Sequence, residues 1–134
     1  MPTGLTKDAG WNVGVSKTLP CPLEEVWDAV ISPEGVAVWL GAGALLEDGA
    51  SYETDDGSVG AVRSLRANNR VRLTWQPVDW SHDSTVQVAV SASSGGTVLR
   101  FHQERLASAA ERERQRAHWS RVLAAVAARL DGGE

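Results

Sequence analysis

Ser81, His82 and Asp83 stand side by side and carry the side chains of a hydrolase triad. A working triad needs nucleophile, base and orienting carboxylate brought to one point by the fold, whereas neighbours in an extended loop point apart. The tripeptide is therefore expected to be a surface turn. Asp55 and Asp56 are paired carboxylates, the residue type of general acid–base work. Followed by Gly57, they read first as a hairpin turn. His82, His102 and His118 lack the spacing with which two imidazoles reach one metal ion from a single helix face, and Cys21 is the one cysteine. Gly41, Gly43, Gly95 and Gly96 fit no phosphate-cradling pattern. No catalytic residue, metal site or cofactor is expected, so the sequence does not read as an enzyme.

The wider composition narrows the classes further. The chain has 134 residues, 43% of them hydrophobic and 22% charged, which suits one soluble domain over residues 1–134 with a core from about residue 10 to about 130. A net charge of -4 argues against a nucleic-acid or anionic-membrane partner, which wants a basic face. The arginines of Glu111–Arg121 are interleaved with glutamates and are expected to form a salt-bridged solvent face. A lone cysteine rules out an internal disulfide framework. The first ten residues contain no apolar core of a signal peptide, and no stretch is long enough to span a membrane, so the expected location is cytoplasmic. Six tryptophans against one phenylalanine and one tyrosine stand out. An indole is bulky, and its N–H needs a partner when buried. It suits a surface that must be both apolar and able to donate a hydrogen bond.

The elements that must position these residues can be read from periodicity. Gly10–Leu19 alternates as a strand, with Trp11, Val13 and Val15 on one face. Pro22 is expected at the first position of a short helix carrying Val26, Trp27 and Val30. Ser32 and Pro33 restart a second short helix with Val36, Trp39 and Leu40. Then come strands and tight turns: Ser51–Thr54, a strand running to turn residues Asn68 and Asn69, Arg70–Gln76, the loop Pro77–Asp83, and two strands joined at Ser93–Gly96. Val71, Leu73 and Trp75 share one face; so do Val86, Val88 and Val90, and then Leu99, Phe101 and Gln103. Ser108 and Glu111 form a capping box for a last long helix with a stripe of Trp119, Val122, Leu123, Val126 and Leu130. Half-polar strands mean a sheet with one wet face, and the long helix must cover the other.

With "VWDAVISPEGVAVW", "RVRLTW", "STVQVAV…GGTVLRF" and "HWSRVLAAVAARL" in that order, the chain resembles the helix-grip fold of the START/Bet v 1-like (SRPBCC) superfamily. Within it, the sequence is similar to the proteins related to the C-terminal domain of the Hsp90 ATPase activator (AHSA1-like). The resemblance covers residues 15 to 130. It implies an α+β fold: a curved antiparallel sheet wrapped around a long C-terminal helix, with two short helices after the first strand. It also implies an apolar cavity, and either a hydrophobic ligand or a chaperone-type protein partner. Gln103 stands where many members carry histidine, and His118 replaces the glycine usual before Trp119.

By face and order, Trp39, Trp75 and Trp119 are expected to converge between helix and sheet. Tyr52, Val62, Val88, Leu99, Phe101, Gln103 and Leu123 should join them. These ten residues would line a cavity for a small hydrophobic molecule, or equally plug a filled core. Alanines 124, 125, 127 and 128 would thin the helix there and favour a void. Trp39 is expected at the mouth, with fewer packing partners than Trp27. The expected function is a non-catalytic binding protein, monomeric or homodimeric. The alternative is a co-chaperone-like interaction module, for which Trp80 in its loop is the one hint; a cyclase or hydrolase of the same superfamily lacks the inward ionisable groups it would need.

Overall fold

The computed structural model describes residues 5–6 and 10–132, with side chains from 11 to 130. Seven strands form one antiparallel sheet: β1 (Leu5–Thr6), β2 (Gly10–Leu19), β3 (Ser51–Glu53), β4 (Val59–Arg66), β5 (Arg70–Trp75), β6 (Ser84–Ser93) and β7 (Gly96–Leu106). Their order is β1-β2-β7-β6-β5-β4-β3. Helices α1 (Leu23–Ile31) and α2 (Pro33–Trp39) follow β2, and α3 (Ala109–Gly132) closes the chain. This is the expected helix-grip arrangement. The addition is β1, two residues paired with Gly10 and Trp11.

Register places the alternating apolar residues in rows across the inner face. One row runs Val15, Phe101, Val88, Val71; the next runs Val13, Gln103, Val86, Leu73, Val62. Beyond Gln103 the phase breaks. Val13 pairs with Gln103 but Trp11 pairs with Leu106, and Arg105 takes a φ of 68°. This bulge turns Leu106 inward, to 3% exposure, and sends Arg105 to solvent.

The helix starts differ by small steps from expectation. Pro22 precedes α1 in an extended conformation (ψ 151°) and is its cap residue rather than its first turn. Its carbonyl already accepts from Glu25 and Val26, both at 3.1 Å. Ser32 acts twice: its N–H closes α1 on the Asp28 carbonyl, and its hydroxyl accepts from Gly35 N at 3.1 Å to cap α2. A side chain on Gly35 would have its first carbon 1.9 Å from the Ala29 carbonyl, so only glycine lets α2 fold back this tightly. At α3, Ser108 Oγ accepts from Glu111 N at 3.1 Å, as expected. The Glu111 carboxylate reaches one residue further back than expected, to Ala107 N at 2.8 Å.

The first turn of α3 is not a solvent face. Glu111 and Arg112 are each 8% exposed. Arg112 Nε donates to the Asn12 carbonyl at 2.7 Å, which pins the helix to β2. The rest of the segment is the expected solvent face: Glu113, Arg114, Arg116 and Arg121 are exposed, and Arg112 also pairs with Glu113 at 2.9 Å.

Candidate functional site

The residues that the sequence singled out belong to the buried core, apart from the polar Gln103 at its centre. Trp39, Tyr52, Val62, Trp75, Val88, Leu99, Phe101, Gln103, Trp119 and Leu123 are all buried. Four of them form a chain of rings. Trp39 lies 6.2 Å from Phe101, Phe101 stacks on Trp119 at 5.1 Å, and Trp119 meets Trp75 edge-on at 5.8 Å. Tyr52 stands apart. Its hydroxyl donates to the Thr74 carbonyl at 2.6 Å, and it fronts a groove with Ser51, Glu53, Val59 and Gly60. A side chain at Gly60 would collide with both the Thr74 carbonyl and the Tyr52 hydroxyl. Burial pushes the Tyr52 phenol well above its usual pKa, so it stays neutral.

Gln103 is the polar centre of the inner face and 0% exposed. Its carbonyl oxygen accepts from Trp119 Nε1 at 2.8 Å and from Gln115 Nε2 at 2.9 Å. Its amide donates to Ser84 Oγ at 2.8 Å, and Ser84 Oγ donates to the Trp75 carbonyl at 2.9 Å. The need for a partner, legible from the sequence, is met by the protein itself. Gln115 and Ser84 were not foreseen. The available signals were the four-residue step from Gln115 to Trp119 on one helix face and the cross-strand pairing of Ser84 with Trp75.

Two buried nitrogens in this region have no hydrogen-bond partner among the described residues: Trp75 Nε1 and His118 Nε2. Their rings lie 5.9 Å apart, 30° from parallel. His118 also lines an open groove of about 260 Å³ between α2 and α3 with Val38, Arg121, Val122 and Ala125. Burial first, and then the nearby Arg121 charge, hold the His118 pKa below its ordinary value, so the ring is neutral near pH 7.

Two expectations are corrected. Ala124, Ala125 and Ala128 are exposed and lie on the outer side of α3; of the four only Ala127, half-buried, packs against the core. Trp39 is 1% exposed, and its N–H donates to the Val30 carbonyl at 2.9 Å; it has a full set of partners. The stretch Ser81–Asp83 is a surface loop, as expected, with Ser81 exposed and the Asp83 side chain 44% exposed; His82 is half-buried, and its Nε2 lies 2.9 Å from Glu111 Oε1 on α3. With Nδ1 at 2.8 Å from the Asp83 carbonyl, both ring nitrogens are occupied and neither serves Ser81 as a base. Asp55 and Asp56 are exposed turn residues as expected. Among the described residues no three histidine, cysteine or carboxylate side chains cluster to hold a metal. Nor is any described helix long and apolar enough to cross a membrane.

A sheet gripping one long helix, closed at one end by two short ones, defines the helix-grip class. The family model of the Activator of Hsp90 ATPase homolog 1-like proteins matches residues 20–131, and the chain belongs to that family. Among solved structures, DynU16, from the dynemicin biosynthetic locus, is 26% identical with a TM-score of 0.81, over 92% of this chain and 48% of that one. The chain thus spans about half the length of DynU16. CalU16 from Micromonospora echinospora is 21% identical with a TM-score of 0.73, over 88% of this chain and 76% of that one. MLL2253 from Mesorhizobium loti is 20% identical with a TM-score of 0.72, over 92% and 98%. The last two likenesses speak to the fold alone. No curated protein matches the chain.

Proposed function

We propose that the protein is a non-catalytic binder of a small hydrophobic molecule, held between the sheet and α3. The observation that carries this reading is the Trp75 indole. It is 7% exposed, sits in a wall of aromatic rings, and its N–H has no partner among the described residues. Leaving a buried donor unpaired is costly, and native proteins rarely do so without a reason. A ligand with an aromatic body and a carbonyl or hydroxyl oxygen would satisfy that donor while lying against Trp75 and Trp119. Few polar groups in an apolar wall is the usual make-up of a small-molecule pocket. The position of DynU16 in a biosynthetic locus supports a small molecule as the ligand. Trp39, Phe101, Val88, Leu99 and Val62 would form the apolar floor. The protein would work in the cytoplasm as a monomer or homodimer.

The chaperone-type reading needs an exposed apolar patch. Leu45, Val59 and Val78 are exposed, at 76%, 43% and 60%. Trp80, its hint in the sequence, is half-buried and packed on Trp75 and His82, which favours the small-molecule reading.

Thermal shift with aromatic compounds tests the proposal. A compound at a hundred times its Kd should stabilise by about 2.7 kcal/mol if it binds only the native state. Trp75→Phe keeps a ring and removes the N–H. It should weaken oxygen-bearing compounds and spare analogues that lack the acceptor. No shift from a broad panel, or equal weakening of both groups, would sink the reading.

A further inference from the structure

We propose that residues 77–83, between β5 and β6, form a lid over Trp75, and that His82 on Glu111 is its proton-operated latch. The latch rests on its own geometry; its role as a gate rests on the pocket reading above. The lid holds Trp80 with its ring 6.2 Å from Trp75. Trp80 also stacks on His82 at 4.9 Å, 26° from parallel. The lid is braced at its start: Trp80 N donates to the Pro77 carbonyl at 2.9 Å, Gln76 Nε2 to the Trp80 carbonyl at 2.9 Å, and Val78 N to Ser58 Oγ at 3.1 Å. At its far end two side-chain ties reach other elements: His82 to Glu111 on α3, and Asp83 to Arg105 on β7.

The His82 contacts suit a protonated ring. Nδ1 faces the Asp83 carbonyl, which can only accept, and Nε2 faces the Glu111 carboxylate. Both nitrogens donate at once only in the imidazolium, whereas a neutral ring donates from one of them. A cation stacked on an indole face is itself favourable. The charged groups against the ring are Glu111 from α3 and Asp83 from its own loop, with Arg105 from β7 paired to Asp83. Burial disfavours the charged ring, but the Asp83 carbonyl and the two carboxylates outweigh it and hold its pKa above the ordinary 6.5. Glu111 Oε1 also accepts from Ala107 N, so the latch and the α3 cap share one oxygen. When the ring loses its proton only one nitrogen can still donate, so one of the two ties is lost and the one to Glu111 is no longer an ion pair. The lid is held more tightly at low pH and loosens as pH rises through the His82 transition.

The test uses ligand-free protein labelled with 5-fluorotryptophan, its Trp80 resonance assigned with Trp80→Phe. The Trp80 signal should move with the His82 titration followed by NMR. Glu111→Gln should lower both transitions together. His82→Phe, which keeps the stack without nitrogens, should make the Trp80 signal indifferent to pH. A Trp80 signal that ignores the His82 titration, or a His82 pKa unmoved by Glu111→Gln, overturns the latch. The gate is tested with 1-anilinonaphthalene-8-sulfonate as probe. Its dissociation should quicken about three- to tenfold across the same transition, the effect of one partly exposed charge-assisted bond. Probe bound with a pH-independent off-rate overturns the gate. No binding of probe overturns the pocket reading, and the fluorine signal alone then decides the latch.

Discussion

The indole N–H of Trp119 donates to Gln103 Oε1 at 2.8 Å, joining α3 to the centre of the sheet with both residues 0% exposed. Gln103→Leu keeps the volume and strips the acceptor. Trp119 loses its partner, and Gln115 and Ser84 each lose one too. A stranded buried donor costs ~1–3 kcal/mol. Urea unfolding should show a loss in that range. An unchanged midpoint would mean that the network does not form.

Val126 lies on the inner stripe of α3 at 1% exposure. Val126→Asp sets a carboxylate against the sheet with nothing to pair it, at a cost of several kcal/mol. That is comparable with the ~5–15 kcal/mol total stability of a domain. The variant should melt far below the parent or fail to fold. Melting within a degree or two would show that the helix does not dock there.

Ser108→Ala removes the hydroxyl that accepts from Glu111 N. The expected loss is ~0.5–2 kcal/mol with the fold retained. Its effect should be smaller than that of Glu111→Ala, because Glu111 also holds Ala107 N and His82. The two variants, compared by thermal melting, should fall in that order.

Periodicity made most of the sheet legible. Val71, Leu73 and Trp75, or Leu99, Phe101 and Gln103, can face the core only in one register. The same periodicity ends at Arg105, where the bulge resets the phase and brings Leu106 inward. Proximity between distant polar groups was not legible. Nothing local says that His82 meets Glu111, 29 residues away, or that Arg112 reaches Asn12 across 100 residues. Charge pattern alone treats Glu111 and Arg112 as solvated, because it cannot see which turn of a helix the sheet covers. The alanines fail for a similar reason: a small residue thins a core only if its face is the inner one.

The histidines set the pH dependence. His118 and His102 are held below the ordinary 6.5, chiefly by burial. For both, the unfolded chain takes up a proton before the folded one. Their stabilising effect is therefore full above pH 6.5 and is lost as pH falls below it. His82, shifted upward, works the other way: its contribution is full below 6.5 and is lost as pH rises through its folded pKa. His118→Gln removes one acid-sensitive group. The fall in Tm between about pH 7 and about pH 5 should be shallower than in the parent. An unchanged slope would show that His118 takes up its proton equally in both states.

Trp39 and Trp27 provide the last comparison. Trp39 is 1% exposed and Trp27 4%, so neither is a thin wall. Trp39 also ties α2 to α1 through the Val30 carbonyl and packs on Phe101. Each truncation to alanine should cost ~3–5 kcal/mol, with Trp39→Ala at least as costly as Trp27→Ala. Trp39→Phe should cost less, because a ring still packs on Phe101 and only the hydrogen bond and part of the volume are lost. The void left by Trp39→Ala would be lined by Phe101 and its apolar neighbours, and an apolar void of that kind stays dry and can take a small aromatic. Free indole should then raise the Tm of Trp39→Ala and leave that of Trp39→Phe nearly unchanged. If indole rescues neither variant while both keep their native spectra, the surrounding side chains have collapsed into the space. The region around Trp39 would then be a deformable core, and a ligand would have to be sought at the Trp75 end alone.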